Sequence, residues 1–294
     1  MKAETAMTYQ LDKLIGQIKK LPTINAVAFQ VIQLCSDSDT SISQLVKVIS
    51  VDQSLTSQVL RIANSSYFNY PRKITTLERA IVILGFNLLR DIAVSIAIYS
   101  LYKGFSAQSG VDLGAQWRHS ITTAFTGRAI AEKLDPAAKE VLYIAGLLHD
   151  LGKLVELRLL PEEFPMLVEK SRQEGLRLDV VERRLLGFHH GDVGAALLER
   201  WNLPEKLHQS TRYHHYPEEF EGDPAVAGLV RQVYLANVVS HYLEGEQPGM
   251  EAVVAYDPDF TRYFSFSEEE FLGLVDYAQE LIAQNQAFFD IIGS

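Results

Sequence analysis

The sequence predicts an all-α protein, a multi-helix bundle in two helical subdomains. Apolar residues recur at the i, i+3, i+4 spacing of a buried helix face through most of the chain. Helix-start signals are frequent. No run of alternating β-branched residues bounded by hairpin turns is present, and the short stretch Ala252–Tyr256 is the single weak strand candidate.

Taken in order, Val27, Val31 and Leu34 line one helix face, Leu45, Val48 and Ile49 a second, and Leu55, Val59, Leu60 and Ile62 a third. Ser41-x-x-Gln44, Ser50-x-x-Gln53, Thr75-x-x-Glu78 and Ser267-x-x-Glu270 match the capping box, in which a hydroxyl and a Glu or Gln side chain satisfy free backbone N–H groups reciprocally. The longest apolar tract, Ala80–Tyr102, carries Arg90 and Asp91 in its middle. Two charges at a bilayer centre are costly, so the tract reads as two buried helices joined there, or one interrupted helix.

The segment Lys103–Gly114 holds three Gly and two Ser and divides the chain into an N-terminal helical part, 1–109, and a C-terminal part, 110–294. Tyr216–Pro224 reads as an acidic loop and 268–288 as an amphipathic last helix.

Of the 294 residues 47% are hydrophobic and 22% charged, so a real core is expected, and the net charge is −10. That balance argues against nucleic acid as main partner, because counterion-release binding needs a basic face. It argues equally against an anionic membrane surface. The single Cys35 excludes an intrachain disulfide and reads as a small buried hydrophobe. No apolar h-region opens the chain, so a cytoplasmic protein is expected.

All eight histidines follow residue 114: His119, His149, His189, His190, His208, His214, His215 and His241. In VLYIAGLLHDLGKL the pair His149-Asp150 ends a nearly uncharged run, with Lys153 four residues after His149. A buried carboxylate either takes up a proton or finds a cation, and a metal ion supplies one. His with Asp suits Fe, Mn, Ni or Zn. In FHHGDVGAALL, Gly194 lies one turn after His190 and lets that helix approach a neighbour closely. In RYHHYP, His214 and His215 can serve one centre only from a helix end. His208 and His241 read as ordinary helix residues, and His189 as solvent-facing, on a different helical face from His190.

LPTINAVAFQVIQL, VDQSLTSQVLRIANSSYF, ITTLERAIVILGFNLLRDIAV, LLHDLGKL and HGDVGAALLERWNLP, followed by the HH pair, occur in that order over about residues 16 to 245. Together they resemble the HDOD (HD-related output) domain of the HD superfamily of metal-dependent phosphohydrolases. The resemblance implies an all-α fold and a place downstream of bacterial signalling. By motif position it implies His119, His149, Asp150, His190, His214 and His215 as ligands of one or two divalent transition ions, iron foremost, with Mn, Ni or Zn as alternatives. Asp150 would bridge two metals and act in catalysis with Lys153, which would face a substrate phosphate. Three departures stand out. The late Asp of the superfamily is Asn237 here, a weaker ligand, and Ala115 stands where a third metal would need a glutamate. HHYPEEFEG also lacks the GYP motif of the cyclic di-GMP branch.

Two functions therefore follow. One is a regulatory output module that binds a signalling partner protein and keeps a metal pocket. The other is a metal-dependent phosphohydrolase acting on a nucleotide or cyclic nucleotide, with Arg118, Lys153 and Arg212 as local cations for a phosphate-containing ligand.

Overall fold

The structure, a computed structural model, describes residues 11, 14, 16, 26–35, 39–65, 68, 70–104, 111–245 and 263–285. Among these residues it is helical throughout, without strands. Contacts divide the chain into two compact units, Pro22–Gly104 with Glu280–Ser294, and Phe105–Gln279 with Met1–Leu21.

The first unit holds α1 (Ala26–Cys35), α2 (Ile42–Ile49), α3 (Gln53–Ala63), α4 (Leu77–Leu84) and α5 (Phe86–Gly104). Val31, Leu45, Ile49, Val59, Ile62, Leu89 and Ile92 are buried. Ser41 caps α2 through the expected capping box. The next two starts differ from the sequence reading. Asp52, with extended backbone, caps α3 by accepting from the N–H groups of Ser54 and Leu55. Ser50 is already helical and closes α2, its hydroxyl donating to the Lys47 carbonyl. Thr76, not Thr75, caps α4.

The break in the long apolar tract also lies elsewhere than expected. It falls at Gly85, whose φ of +78° suits a residue without Cβ, and α4 and α5 bend there by 117°. Arg90 and Asp91 lie inside α5, buried and paired with each other at 3.6 Å. Among the described residues no single helix is long and apolar enough to cross a membrane. The side chain of Cys35, residues 105–110 of the soft segment, the stretch Ala252–Tyr256 and the end of the last helix lie outside the described residues.

The second unit holds α6 (Leu113–Leu134), α7 (Lys139–Leu148), α8 (Leu151–Leu159), α9 (Glu163–Glu174), α10 (Leu178–Leu186), α11 (His190–Arg200), α12 (Glu205–Tyr213), α13 (Pro224–Glu244) and most of α14 (Glu268–Gln284). Ser267 and Glu270 form the predicted capping box of α14. Val155, Phe164, Leu178, Val181 and Val193 pack α8 to α11 around one core. Two glycines allow α8 and α11 to approach closely. A Cβ on Gly152 would lie 1.8 Å from the His190 carbonyl oxygen, and one on Gly194 would lie 2.9 Å from Thr211 Cγ2 and 3.1 Å from Gly152 N. The starts of α8 and α11 thus meet backbone to backbone, which carries His190 to Asp150.

Candidate metal centre

His149 ends α7 and Asp150 occupies the break before α8, with φ −102° and ψ 8°. The last carbonyls of a helix lack partners within it. His149 uses one, donating from Nδ1 to the Gly146 carbonyl at 2.7 Å. His214 ends α12 and does the same, donating to the Thr211 carbonyl at 2.6 Å. Each ring therefore carries a hydrogen on Nδ1 and turns Nε2 inward. His190 opens α11, and Glu182 of α10 receives both its backbone N–H at 2.8 Å and its Nδ1–H at 2.7 Å through one oxygen. On α6, His119 Nδ1 faces Glu244 Oε2 at 3.0 Å.

These rings surround Asp150, which is fully buried. Its Oδ2 accepts from Lys153 at 2.7 Å and Gln116 at 2.9 Å. It also lies 3.2 Å from His149 Nε2 and 3.7 Å from His119 Nε2. Its Oδ1 lies 3.3 Å from His190 Nε2 and 3.5 Å from His214 Nε2, without a hydrogen bond of good geometry to either. His215 Nε2 lies 3.0 Å from His190 Nε2. Two sets of donor atoms thus share Asp150, one with His119 and His149, the other with His190, His214 and His215, each within 4.8 Å. All six ligand candidates read from the sequence meet here.

The electrostatics separates the rings. Burial lowers His214 to about 4 and holds His215 well below its usual value, so both are neutral. Burial also works against a charged His190, but the Glu182 carboxylate overcomes it and raises His190 to about 10. Asp150 is held well below the carboxylate range because His149 and Lys153 outweigh its burial.

The residues present fit a metal. A tetrahedral ion with ligand bonds of about 2.0–2.1 Å separates its ligand atoms by about 3.4 Å. The contacts of 3.0, 3.3 and 3.5 Å among His215, His190, Asp150 Oδ1 and His214 match that edge. On the other side, Asp150 Oδ2 already carries Lys153 and Gln116, and His119 Nε2 lies 2.9 Å from Asn237 Oδ1.

Several positions differ from the sequence reading. His189 is fully buried and caps α11, accepting from the Gly191 N–H at 3.0 Å. A cap residue has extended backbone, so the helical-face argument that sent it to solvent does not apply. His241 stacks on His119 with ring centroids 4.3 Å apart and forms a third donor group with it and Glu244. Lys153 is buried on Asp150. Arg118 is exposed beside Asp112, and Arg212 lies 4.0 Å from Asp192. His208, half-buried, sits on α12 apart from the donor groups.

Gln116, Glu182 and Glu244 were not legible as parts of the site. Glu182 left one signal, since it falls in the apolar stripe of Leu178, Val181 and Leu186. An acidic residue there needs a buried partner.

This is a helical protein with a buried histidine–aspartate centre. The HDOD domain family matches residues 21–217, well over half of the chain, and the chain belongs to that family. A crystal structure of an HDOD domain protein of unknown function from Geobacter sulfurreducens is similar to 96% of this chain and 99% of its own, at 25% identity and a TM-score of 0.77. A candidate signal transduction protein from Marinobacter aquaeolei VT8 shares the fold at 22% identity and TM-score 0.75, over 100% of this chain and 64% of its own. A candidate phosphohydrolase from Shewanella amazonensis SB2B does so at 19% identity and TM-score 0.71, over 95% and 97%. An uncharacterized protein of Treponema pallidum (strain Nichols) is 28% identical over 83% of this chain, which spans 47% of that relative's length.

Proposed function

We propose that this chain is a bacterial signal-output module of the HDOD type that acts through a protein partner and holds one divalent transition metal at Asp150, His190, His214 and His215. The observation that carries the metal is a pair of facing acceptors. His214 Nδ1 spends its hydrogen on Thr211, so neutral His214 presents a lone pair towards the Asp150 Oδ1 lone pairs at 3.5 Å. Both atoms lack a hydrogen-bond partner, and a cation between them turns repulsion into ligation. Four protein donors make a closed set of the structural kind. Burial of the centre favours a module over an enzyme, since His149, Asp150, Lys153, His190 and His214 are 0% exposed. Lys153 supplies the positive charge that a second ion would supply at Oδ2.

Elemental analysis of protein grown with iron and manganese tests this. One equivalent of metal, lost in His214→Ala, is the expected result. Metal-free protein after such growth overturns it.

A second reading is favoured by one observation. His119, His149 and Asp150 Oδ2 form a triangle of 3.2, 3.3 and 3.7 Å that also suits an ion. Two metals sharing Asp150 would make a phosphohydrolase of the two-metal kind, its substrate a nucleotide or cyclic nucleotide. Two equivalents of metal, with phosphodiester hydrolysis lost in Asp150→Ala, would select this reading.

A further inference from the structure

On the Nδ1 side of His119, away from Asp150, a further set of donors joins α6 to the last turn of α13. His241 and Glu244 stand one turn apart on α13 and face the same side, the spacing at which a helix presents a His–Glu ligand pair. His119 meets them from α6. Its Nδ1 lies 3.0 Å from Glu244 Oε2, and its ring stacks on His241 with centroids 4.3 Å apart. One donor atom from each of the three residues lies within 4.8 Å of the other two. The second nitrogen of His119 is committed elsewhere. Nε2 lies 2.9 Å from Asn237 Oδ1, an acceptor, and so carries the ring's hydrogen. That leaves the Nδ1 lone pair facing a carboxylate oxygen. A positive charge between the two atoms reconciles them. A proton would use those two atoms alone, whereas a metal ion also uses His241. The C-terminal end of α13 adds carbonyl dipoles whose negative ends favour a cation.

We infer that His119 Nδ1, His241 and Glu244 form a separate, exchangeable site for a divalent ion such as Zn²⁺ or Co²⁺. Two imidazole nitrogens and one carboxylate oxygen supply three of the four positions of a tetrahedral ion, and water takes the fourth. His119 is buried, but His241 and Glu244 are half-buried, so the site reaches solvent. The His241 ring lies 23° from parallel to His119 and turns about its Cβ–Cγ bond to aim a nitrogen at the ion, a soft torsion. An ion held in this way exchanges with solvent and is not carried through gel filtration, unlike one enclosed at Asp150. It also keeps the His119 hydrogen on Nε2, turned to Asn237, and so withholds that nitrogen from the Asp150 centre. The inference does not rest on a metal at Asp150.

The full chain, passed through gel filtration, is titrated with Co²⁺ and followed by calorimetry and by the visible absorption of the bound ion. His241→Ala and Glu244→Gln each remove one ligand of the proposed site, and His214→Ala removes one from the Asp150 centre. The expected result is one reversibly bound equivalent in the wild type and in His214→Ala. In H241A and E244Q its affinity is expected to fall by more than the about 10- to 100-fold that partners behind a ligand are worth. No reversible uptake overturns the inference, and so does uptake unchanged in H241A and E244Q. Uptake lost in His214→Ala alone also overturns it, because the ion then belongs to Asp150. If H241A loses its helicity by circular dichroism, the isosteric E244Q decides. A wild type that retains no metal after gel filtration but takes up Co²⁺ here overturns the reading of the Asp150 centre and supports this one.

Discussion

Lys153 and Asp150 form a fully buried ion pair at 2.7 Å across one turn of α8, beneath a ring of histidines. Removing one partner of such a pair costs about 3–5 kcal/mol, because the other charge stays buried alone. Asp150→Asn is therefore expected to lower stability by that amount, as measured by urea unfolding of the metal-free protein. Asp150→Asn combined with Lys153→Met removes both charges and is expected to be more stable than Asp150→Asn alone. Additive losses would show that the ammonium does not depend on Asp150.

The two sides of Asp150 differ in what already satisfies them, and this sets an order among the histidines. His214→Ala and His215→Ala take donors from the side where Oδ1 and His214 Nε2 have no hydrogen-bond partner. Each is expected to abolish metal retention through gel filtration. His119→Ala removes a ring whose Nε2 already meets Asn237, and retention there is expected to fall far less. Equal losses in all three would favour two metals over one.

Close backbone approach makes Gly152 intolerant of a methyl group. Its Cβ would stand 1.8 Å from the His190 carbonyl oxygen, and α8 or α11 must shift to admit it. Gly152→Ala is expected to cost more than the about 1–3 kcal/mol of ordinary overpacking. Gly228→Ala is the control, since nothing lies within 4 Å of its added Cβ inside α13. There the better helix propensity of Ala is expected to stabilise by about 0.5–1 kcal/mol. Thermal unfolding of the two variants separates these signs.

Asp179 links α10 to the turn after the histidine pair. It accepts from Arg177 at 2.7 and 2.9 Å and from the Tyr216 hydroxyl at 2.6 Å. Burial alone would raise its pKa, but the Arg177 and Tyr216 bonds outweigh it and hold the carboxyl below its usual range. A lowered folded-state value stabilises above the unfolded value, and that stabilisation disappears as pH falls through the folded one. Asp179→Asn is expected to cost about 1.5–3 kcal/mol near neutral pH, the worth of hydrogen bonds to a charged group. The gap to wild type should close in acid. A gap independent of pH would mean that shape, not charge, matters at this position.

Much of the helical class was legible because it depends on local chemistry. The 3.6-residue spacing of Leu45 and Ile49, and the reciprocal bonds of Ser41 with Gln44, need only a few consecutive residues. Helix boundaries were less legible, because neighbouring residues compete for them. Ser50 and Thr75 had the right pattern, but Asp52 and Thr76 were the residues whose backbone turned extended. The break falls at Gly85 and not at the charges of 90 and 91, since opposite charges 3.6 Å apart offset each other inside a helix.

By itself the sequence determined the helical class, the motifs that resemble the HDOD family, and the residues His119, His149, Asp150, His190, His214 and His215. The helical class can be read from residue type and short spacing, and the six residues from their places in the motifs that carry the resemblance. Only the tertiary structure decided what stands behind those residues. Glu182 belongs to His190, Glu244 to His119, and Lys153 and Gln116 to Asp150. Three of these four contacts join different helices, and such contacts depend on how backbones pack, as Gly152 packs against the start of α11. A one-dimensional pattern records which residues can ligate. The direction in which each ring turns its bare nitrogen is set by partners that the pattern does not contain.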